Sequence, residues 1–313
     1  MSGAGIMLVA LGVDLLLGWP KPLFAAIGHP VTWIGRLIKQ LDEWLNLEGT
    51  DDKDRRWAGV AAALAVIVAA ALVAALVQLA LPKGLLGLIL TGLVAWPLVA
   101  ARSMYDHVLA VARPLASGDL AAARQAVAMI VGRDPQQLDE AGVARATLES
   151  LSENASDGVI APLFWGAIFG LPGIAAYKAI NTLDSMIGHR TPRHEAFGWA
   201  AARIDDVANL IPARLTGLLF AAVSGNPREG LACMLADAGK HRSPNAGWPE
   251  AAMAAALGVR LSGPRAYEDR VADEPWVNGL ARDPMAADIN RGLDLGRKAL
   301  IVTAALLAVI WLI

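Results

Sequence analysis

Two long apolar runs, Ala58 to Leu81 and Leu85 to Ala101, are separated only by Pro82, Lys83 and Gly84. A helix needs about 20 residues to cross the hydrocarbon layer of a bilayer, so these runs predict a membrane hairpin. Four weaker apolar segments follow the same logic less completely: Gly5 to Leu17, Val159 to Tyr177, Val207 to Val223 and Ala299 to Ile313. Each is short or broken by glycine, proline or a charge. Val159 to Tyr177 contains Pro162, Gly166, Gly170, Pro172 and Gly173, a composition suited to half-helices that line a cavity and turn back. The pattern predicts an all-α, polytopic integral membrane protein with about four to six membrane-embedded helices, some re-entrant, plus amphipathic cytoplasmic helices.

Between the apolar segments, Ser117-Gly118-Asp119 predicts an N-cap for the Ala-rich run 120–131, and Gly132-Arg133-Asp134-Pro135 predicts its end. Residues 225–298 are more polar and broken by motifs such as HRSPNAGWPEA and SGPRAYED. The expected organisation is one membrane domain over 1–313, with 102–157 and 225–298 as mainly cytoplasmic helical segments. Lysine and arginine bias sets orientation. Loop 18–57 holds Lys21, Arg36, Lys39, Lys53, Arg55 and Arg56 against Lys83 alone in the hairpin turn. That places the turn outside and the multi-pass protein in the cell membrane with loops 18–57 and 102–157 in the cytoplasm. The first residues lack a basic n-region and carry Asp14 within their apolar run, so they read as retained structure rather than a signal peptide.

Composition agrees: the chain is 56% hydrophobic, with a mean hydropathy of +0.46. The 27 basic and 29 acidic residues nearly balance and form no basic block, which excludes the electrostatic footprint of a nucleic-acid binder. Cys233 is alone, and the five histidines show no metal-ligand spacing, so neither a disulfide framework nor a zinc site is expected. Neither a Walker nor a Rossmann glycine loop precedes a helix.

Ionisable groups are expensive near a bilayer, so their density between Arg145 and Leu215 marks the candidate working region. On a helix Arg145, Glu149, Glu153 and Asp157 recur at i, i+4 and form one charged stripe. Such a stripe suits Mg²⁺ or an amine, or it is a solvated face. Tyr177, Asn181 and Asp184 share a second face beside Lys178, chemistry suited to a phosphate, or a lysine snorkelling at a helix end. Arg203, Asp205, Asp206 and Asn209 read as R-x-D-D-x-x-N, with Arg214 beyond Pro212. Paired acids with an amide one turn on suit Mg²⁺ bridging phosphate oxygens, and arginines suit the remaining charge; acids capping a helix start are the alternative.

The assembled motifs resemble the adenosylcobinamide-phosphate synthase family of cobalamin biosynthesis, also called CbiB or CobD. They run in one order along most of the chain: DLLLGWP, HPVTWIG, GRDP, ESLSENASDGVIAPLFW, GLPGIAAYKAINTLDSMIGHR, FGWAAARIDDVANLIPARLTG and HRSPNAGWPEAAMAAALGVRL. The resemblance implies an ATP-dependent ligase that forms a C–N amide bond between adenosylcobyric acid and (R)-1-aminopropan-2-ol or its O-phosphate. It implies ATP and Mg²⁺, with no haem, zinc or flavin, and contacts with other membrane enzymes of cobalamin assembly. Under that reading Glu149, Glu153, Asp157 and Lys178 are the expected catalytic groups, with Glu149 or Glu153 as the base. Lys178, Asn181, Arg203 and Arg214 are expected on the nucleotide, and Asp157, Asp184, Asp205, Asp206 and Asn209 on the metal. Trp165, Trp199 and Trp248 are expected along the corrinoid's path or as interfacial anchors. A non-enzymatic AmpE-like membrane sensor is the rival from another class. A membrane phosphotransferase is a third, disfavoured because Asp157-Gly158 leads to Ala161-Pro162 without the arginine that pattern requires.

Overall fold

The computed structural model describes residues 2–131, 135–266, 271–272 and 274–313. The first helices are α1 (Gly3–Leu17), α2 (Lys21–Ile27), α3 (Pro30–Leu45), α4 (Asp52–Ala80), α5 (Gly84–Ala95), α6 (Ala101–Ala116) and α7 (Leu120–Val127). They are followed by α8 (Glu140–Asn154), α9 (Ala161–Ile187), α10 (Trp199–Ala208), α11 (Leu210–Val223), α12 (Pro227–Asp237), α13 (Gly247–Leu257) and α14 (Ala286–Leu312). The membrane expectation holds: among the described residues four helices are long and apolar enough to cross a bilayer, or up to six if two bent pairs each count as one span. One of those pairs is Gly3–Leu17 with Lys21–Leu45, bent by 112°. The chain divides into two compact units, Met1–Ala100 with Ala161–Asn209 and Leu306–Ile313, and Ala101–Ile160 with Leu210–Ala305.

In the first unit the two arms of the predicted hairpin are present but take their main packing partners elsewhere. α4 lies against α9, α3 and α10, whereas α5 lies against α1. The second arm also ends sooner than its apolar run. α5 stops at Ala95 and a 3-10 turn, Trp96–Leu98, follows around Pro97, whose ring cannot continue the helix. The core of α3, α4, α9 and α10 is rich in small residues, among them Ala62, Ala63, Ala179, Ala200 and Ala201. Small side chains let helix backbones approach closely, which is how membrane helices pack where lipid is as apolar as the interface.

α9 is two half-helices joined at Gly170, whose φ of 69° and ψ of −149° are non-helical. Glycine reaches that region without strain, and the chain reverses there. Gly173 consequently returns to the backbone of Trp165, so closely that any Cβ would collide with it. The Gly/Pro-rich segment therefore turns back on itself, as its composition predicts. The break leaves the N–H of Leu171 without a helical acceptor, and Gln78, near the end of α4, accepts it through Oε1 at 2.8 Å. At the other end of α9 the loop to α10 is fixed by Arg193, which donates to Asp42 Oδ2 at 2.9 and 3.0 Å. Asn46 donates to Asp42 and to the Arg193 carbonyl.

The second unit is built around α8. Asp139 caps it by accepting from the Gly142 N–H at 2.7 Å, and Val143, Leu148 and Leu151 enter a core shared with Val111, Phe220, Ala254 and Ile289. Asp119 caps α7 through the Ala122 N–H at 2.9 Å, as predicted. That helix ends at Val127, short of residue 131, and Gly132 to Asp134 of the predicted stop lie outside the described residues. Two antiparallel two-residue pairs, Leu261–Ser262 with Trp276–Val277 and Arg265–Ala266 with Val271–Ala272, are the β-strands among the described residues. Part of the SGPRAYED break likewise lies outside them.

The 261–283 segment is clamped by Trp276 and Asp283. Arg145 and Arg260 stack on the Trp276 ring at 4.6 and 4.2 Å, and both donate to Asp283. Hydrogen bonds from Arg260, and then from Arg145, hold the Asp283 carboxyl down at about 2.

Two predictions follow from this packing. Gln78→Leu leaves a buried amide unsatisfied and is expected to cost about 1–3 kcal/mol of stability. Gly170→Ala adds strain at a positive φ and crowds the Gln78 carboxamide, and is expected to be worse. Thermal unfolding of the detergent-solubilised protein reads both, and unchanged midpoints would contradict the break described. Asp283 stabilises the folded state above its unfolded value, and that contribution is lost as pH falls through the folded value. Asp283→Asn should thus lower the thermal midpoint at neutral pH, with the gap to wild type closing between 3.8 and about 2; a gap constant across that window would refute the clamp.

Candidate functional site

The second half of α9 carries the polar groups of the first unit. Lys178 is 8% exposed, and its Nζ lies 3.5 Å from Asn181 Oδ1. A cation is kept in such a place only where polar partners compensate its lost hydration. His29 lies close enough for its charge to interact with that of Lys178. It heads α3 through a capping box with Thr32 and stands edge-on to Trp19 at 5.0 Å.

The face expected to hold Tyr177, Asn181 and Asp184 exists, and its two ends meet α10. The Tyr177 hydroxyl donates to Asn209 Oδ1 at 2.9 Å, and Asn209 Nδ2 donates to Asp205 Oδ2 at 3.0 Å. Asp184 interacts electrostatically with His189, Asp206 and Arg203, and Arg203 Nη1 pairs with Asp206 Oδ2 at 3.1 Å. Beside this face an apolar cavity of about 660 Å³ opens between α4, α9 and α10, with Trp165, Phe169, Tyr177, Trp199 and Val207 in its wall and Arg203 as its charged member. Trp165 and Trp199 thus share one cavity.

In the second unit the predicted stripe is present. From 143 to 160 only Arg145, Glu149, Glu153, Asn154 and Asp157 keep exposure, while the remaining side chains are buried. The helix is not continuous, however. Ala155–Ile160 is a π-helical turn, the wider i→i+5 geometry that concentrates at functional sites, and Asp157 sits within it. The upper half of the stripe is structural: Arg145 holds Asp283, and Glu149 Oε1 accepts the Ser262 N–H at 2.9 Å. Ser262 has a φ of 57°, so Glu149 also secures a strained backbone position.

Arg214 is held in place by an aromatic ring and a carbonyl. Its guanidinium lies 4.5 Å over the Trp248 ring. Nη1 donates to the Leu210 carbonyl at 2.7 Å and reaches Asn245 Oδ1 at 3.5 Å. Among the described residues Nε and Nη2 make no hydrogen bond. That edge is the one a guanidinium uses for side-on, bidentate contact with a carboxylate or phosphate.

The acids expected on the metal have protein partners in this fold. Among the described residues no group of three or more His, Cys, Asp or Glu side chains converges as a metal site. Asp157, Asp184, Asp205, Asp206 and Asn209 therefore do not form a preassembled cage. Asn209 Oδ1, its metal-competent atom, accepts the Tyr177 hydroxyl. Asp205 and Asp206 are consecutive on a helix and turn to different partners, Asn209 and Arg203. Sequence reasoning also left out His29 and read the HRSPNAGW loop only as a break in a polar segment, although that loop supplies Trp248 and Asn245 to Arg214. The signal available was its polar, Pro/Gly-broken composition opposite an arginine that an apolar helix has to carry.

A family model described as CobD/Cbib protein matches residues 7–296. A Rhodobacter capsulatus protein named cobalamin biosynthesis protein CobD is 63% identical over 314 residues, covering 99% of both chains. Proteins of the same name from a Sinorhizobium species and from Rhizobium meliloti are 44% and 47% identical, covering 98% and 88% of this chain and 98% and 87% of their own. No solved structure matches. A match over nearly the whole length, with relatives this similar end to end, has one reading: the chain belongs to the CobD/CbiB protein family.

Proposed function

We propose that this protein is a membrane-embedded biosynthetic enzyme of cobalamin assembly. In this reading it is an ATP-dependent ligase that joins a carboxylate of adenosylcobyric acid to (R)-1-aminopropan-2-ol or its O-phosphate. The names of its relatives support the pathway. The observation that carries the chemistry is Arg214, stacked on Trp248 with its bidentate edge meeting no acceptor among the described residues, which is the arrangement an oxyanion substrate needs.

A carboxylate does not acylate an amine at neutral pH unless an oxygen is first made a leaving group. The carboxylate would attack the γ-phosphorus of ATP, forming an acyl phosphate and releasing ADP. The amine nitrogen would then attack the acyl carbon, forming the C–N bond and expelling phosphate, with one proton leaving the nitrogen. Magnesium would enter this scheme with the nucleotide, since no group of three or more His, Cys, Asp or Glu side chains converges among the described residues.

Each unit's groups suit a part of this work. In the first, Lys178 and Asn181 would contact phosphate oxygens as a buried point charge and an amide, and Arg203 would supply a second cation at the mouth of the apolar cavity. The cavity wall, with Trp165 and Trp199, suits the apolar part of a large ligand. In the second, Arg214 would orient an oxyanion, and Glu153 would take the amine proton. Glu153 is preferred to Glu149 because Glu149 is committed to the Ser262 amide. The expected facing is cytoplasmic, where ATP is available.

Detergent-purified protein incubated with adenosylcobyric acid, MgATP and each amine should give a corrinoid whose mass rises by the amine less one water, only with ATP. No mass gain with either amine, in folded protein, would favour the sensor reading. Lys178→Ala is expected to lower turnover by about 10²–10³, the scale for one preorganised charge-stabilising donor. Glu153→Gln should lower it by about 10²–10⁴, the range for a general base, whereas Glu149→Gln should act chiefly on stability. Full activity in both Lys178→Ala and Glu153→Gln would remove these assignments.

A further inference from the structure

Beneath Arg214 lies a buried pair that none of the chemistry above uses. His241 begins the HRSPNAGW loop and Glu250 lies in the first turn of α13, where the helix N-terminus favours a carboxylate. The Glu250 side chain is 3% exposed and that of His241 is 8% exposed, with His241 Nε2 at 3.7 Å from Glu250 Oε2. The other ring nitrogen, Nδ1, accepts the Ser243 N–H at 3.0 Å. An acceptor at Nδ1 leaves the ring proton on Nε2, directed at Glu250. The Ser243 N–H thus fixes the tautomer, and Glu250 stands as the ion-pair partner 3.7 Å from the other ring nitrogen.

That imidazole sets the loop. Ser243 Oγ, one residue pair along, accepts the N–H groups of Asn245 and Ala246, each at 3.2 Å. Trp248 N–H closes on the Asn245 carbonyl at 3.1 Å. Gly247 packs so tightly on the Ala238 carbonyl and on His241 Cβ, 2.8 Å from where its own Cβ would stand, that no side chain fits. The loop between the pair therefore has one path. Its two outward products are the Trp248 ring under the Arg214 guanidinium and the Asn245 carboxamide beside Nη1.

We propose that Glu250 and His241 are positioning residues, which hold Arg214 in its oxyanion-binding geometry through the 241–248 loop. A buried carboxylate and imidazole are expensive to maintain, and a loop that only joined α12 to α13 would need neither. The proposal rests on the reading of Arg214 as an oxyanion contact, and the experiment separates the two.

Binding of MgATP and of adenosylcobyric acid to the full-length protein in detergent is measured by equilibrium dialysis, with kcat and KM for each, for wild type, Arg214→Ala, Glu250→Gln and the double variant. Arg214→Ala identifies the ligand this arginine holds by weakening it about tenfold or more, the range for loss of a charge-assisted bidentate contact. Glu250→Gln should weaken the same ligand and raise its KM about tenfold, leave the other ligand unchanged, and alter kcat by less than about threefold. The double variant should be no weaker than Arg214→Ala alone, because the pair acts only through that arginine. His241→Gln, which removes the imidazole while keeping a polar side chain, should repeat the pattern and serves if Glu250→Gln does not fold. Additive losses, a loss for the other ligand, or a lowered thermal midpoint with unchanged affinity would overturn the positioning role and leave Arg214 standing. Unchanged affinity for both ligands in Arg214→Ala would overturn the reading of Arg214, and the positioning role with it.

Discussion

A backbone amide placed among apolar helices has to find an acceptor, and in this fold the acceptor for the most consequential one is a glutamine side chain. Where α9 breaks at Gly170, the Leu171 N–H loses its helical partner and Gln78 replaces it. That contact replaces the helical hydrogen bond lost where the helix stops, reverses and starts again. The returning half-helix is the one that carries Tyr177, Lys178, Asn181 and Asp184. A continuous helix would direct these side chains along a different line, and the close passage of Gly173 past Trp165 would not exist.

The same constraint explains why the charges of the chain fall into two kinds. Several are neutralised locally. Arg203 faces Asp206, Arg193 faces Asp42, and Arg145 shares Asp283 with Arg260. Arg214 differs, since an aromatic face and a carbonyl hold it without neutralising it. Stacking orients a guanidinium while leaving its charge and its planar edge intact. An arginine held in this way is ready for an anion from outside the protein, and that distinction underlies the functional reading more firmly than the number of acids nearby.

Much of this was visible along the chain, and the misses share a cause. Apolar runs predicted α4 and the start of α5, the Gly/Pro cluster around Gly170 predicted a reversal, and the i, i+4 spacing of Arg145, Glu149, Glu153 and Asp157 predicted the exposed stripe. All of these depend on residues close in sequence. What escaped was the choice of partner across the fold. Gln78 finds a backbone group 93 residues away and Tyr177 meets Asn209 across 32. Spacing alone does not reveal that Asn209, in the D-D-x-x-N pattern, meets Tyr177. Nor does it reveal that the HRSPNAGW loop, unremarkable by periodicity, builds the seat of Arg214.

The central claim, that a carboxylate is activated as an acyl phosphate before the amine attacks, is tested most directly by oxygen tracing. Adenosylcobyric acid labelled with ¹⁸O in its free carboxylate is turned over with MgATP and the amine, and the released nucleotide and phosphate are analysed by mass spectrometry. The account predicts ADP and inorganic phosphate carrying one ¹⁸O from the carboxylate for each amide formed. Release of AMP with pyrophosphate, or unlabelled phosphate alongside amide product, would contradict it.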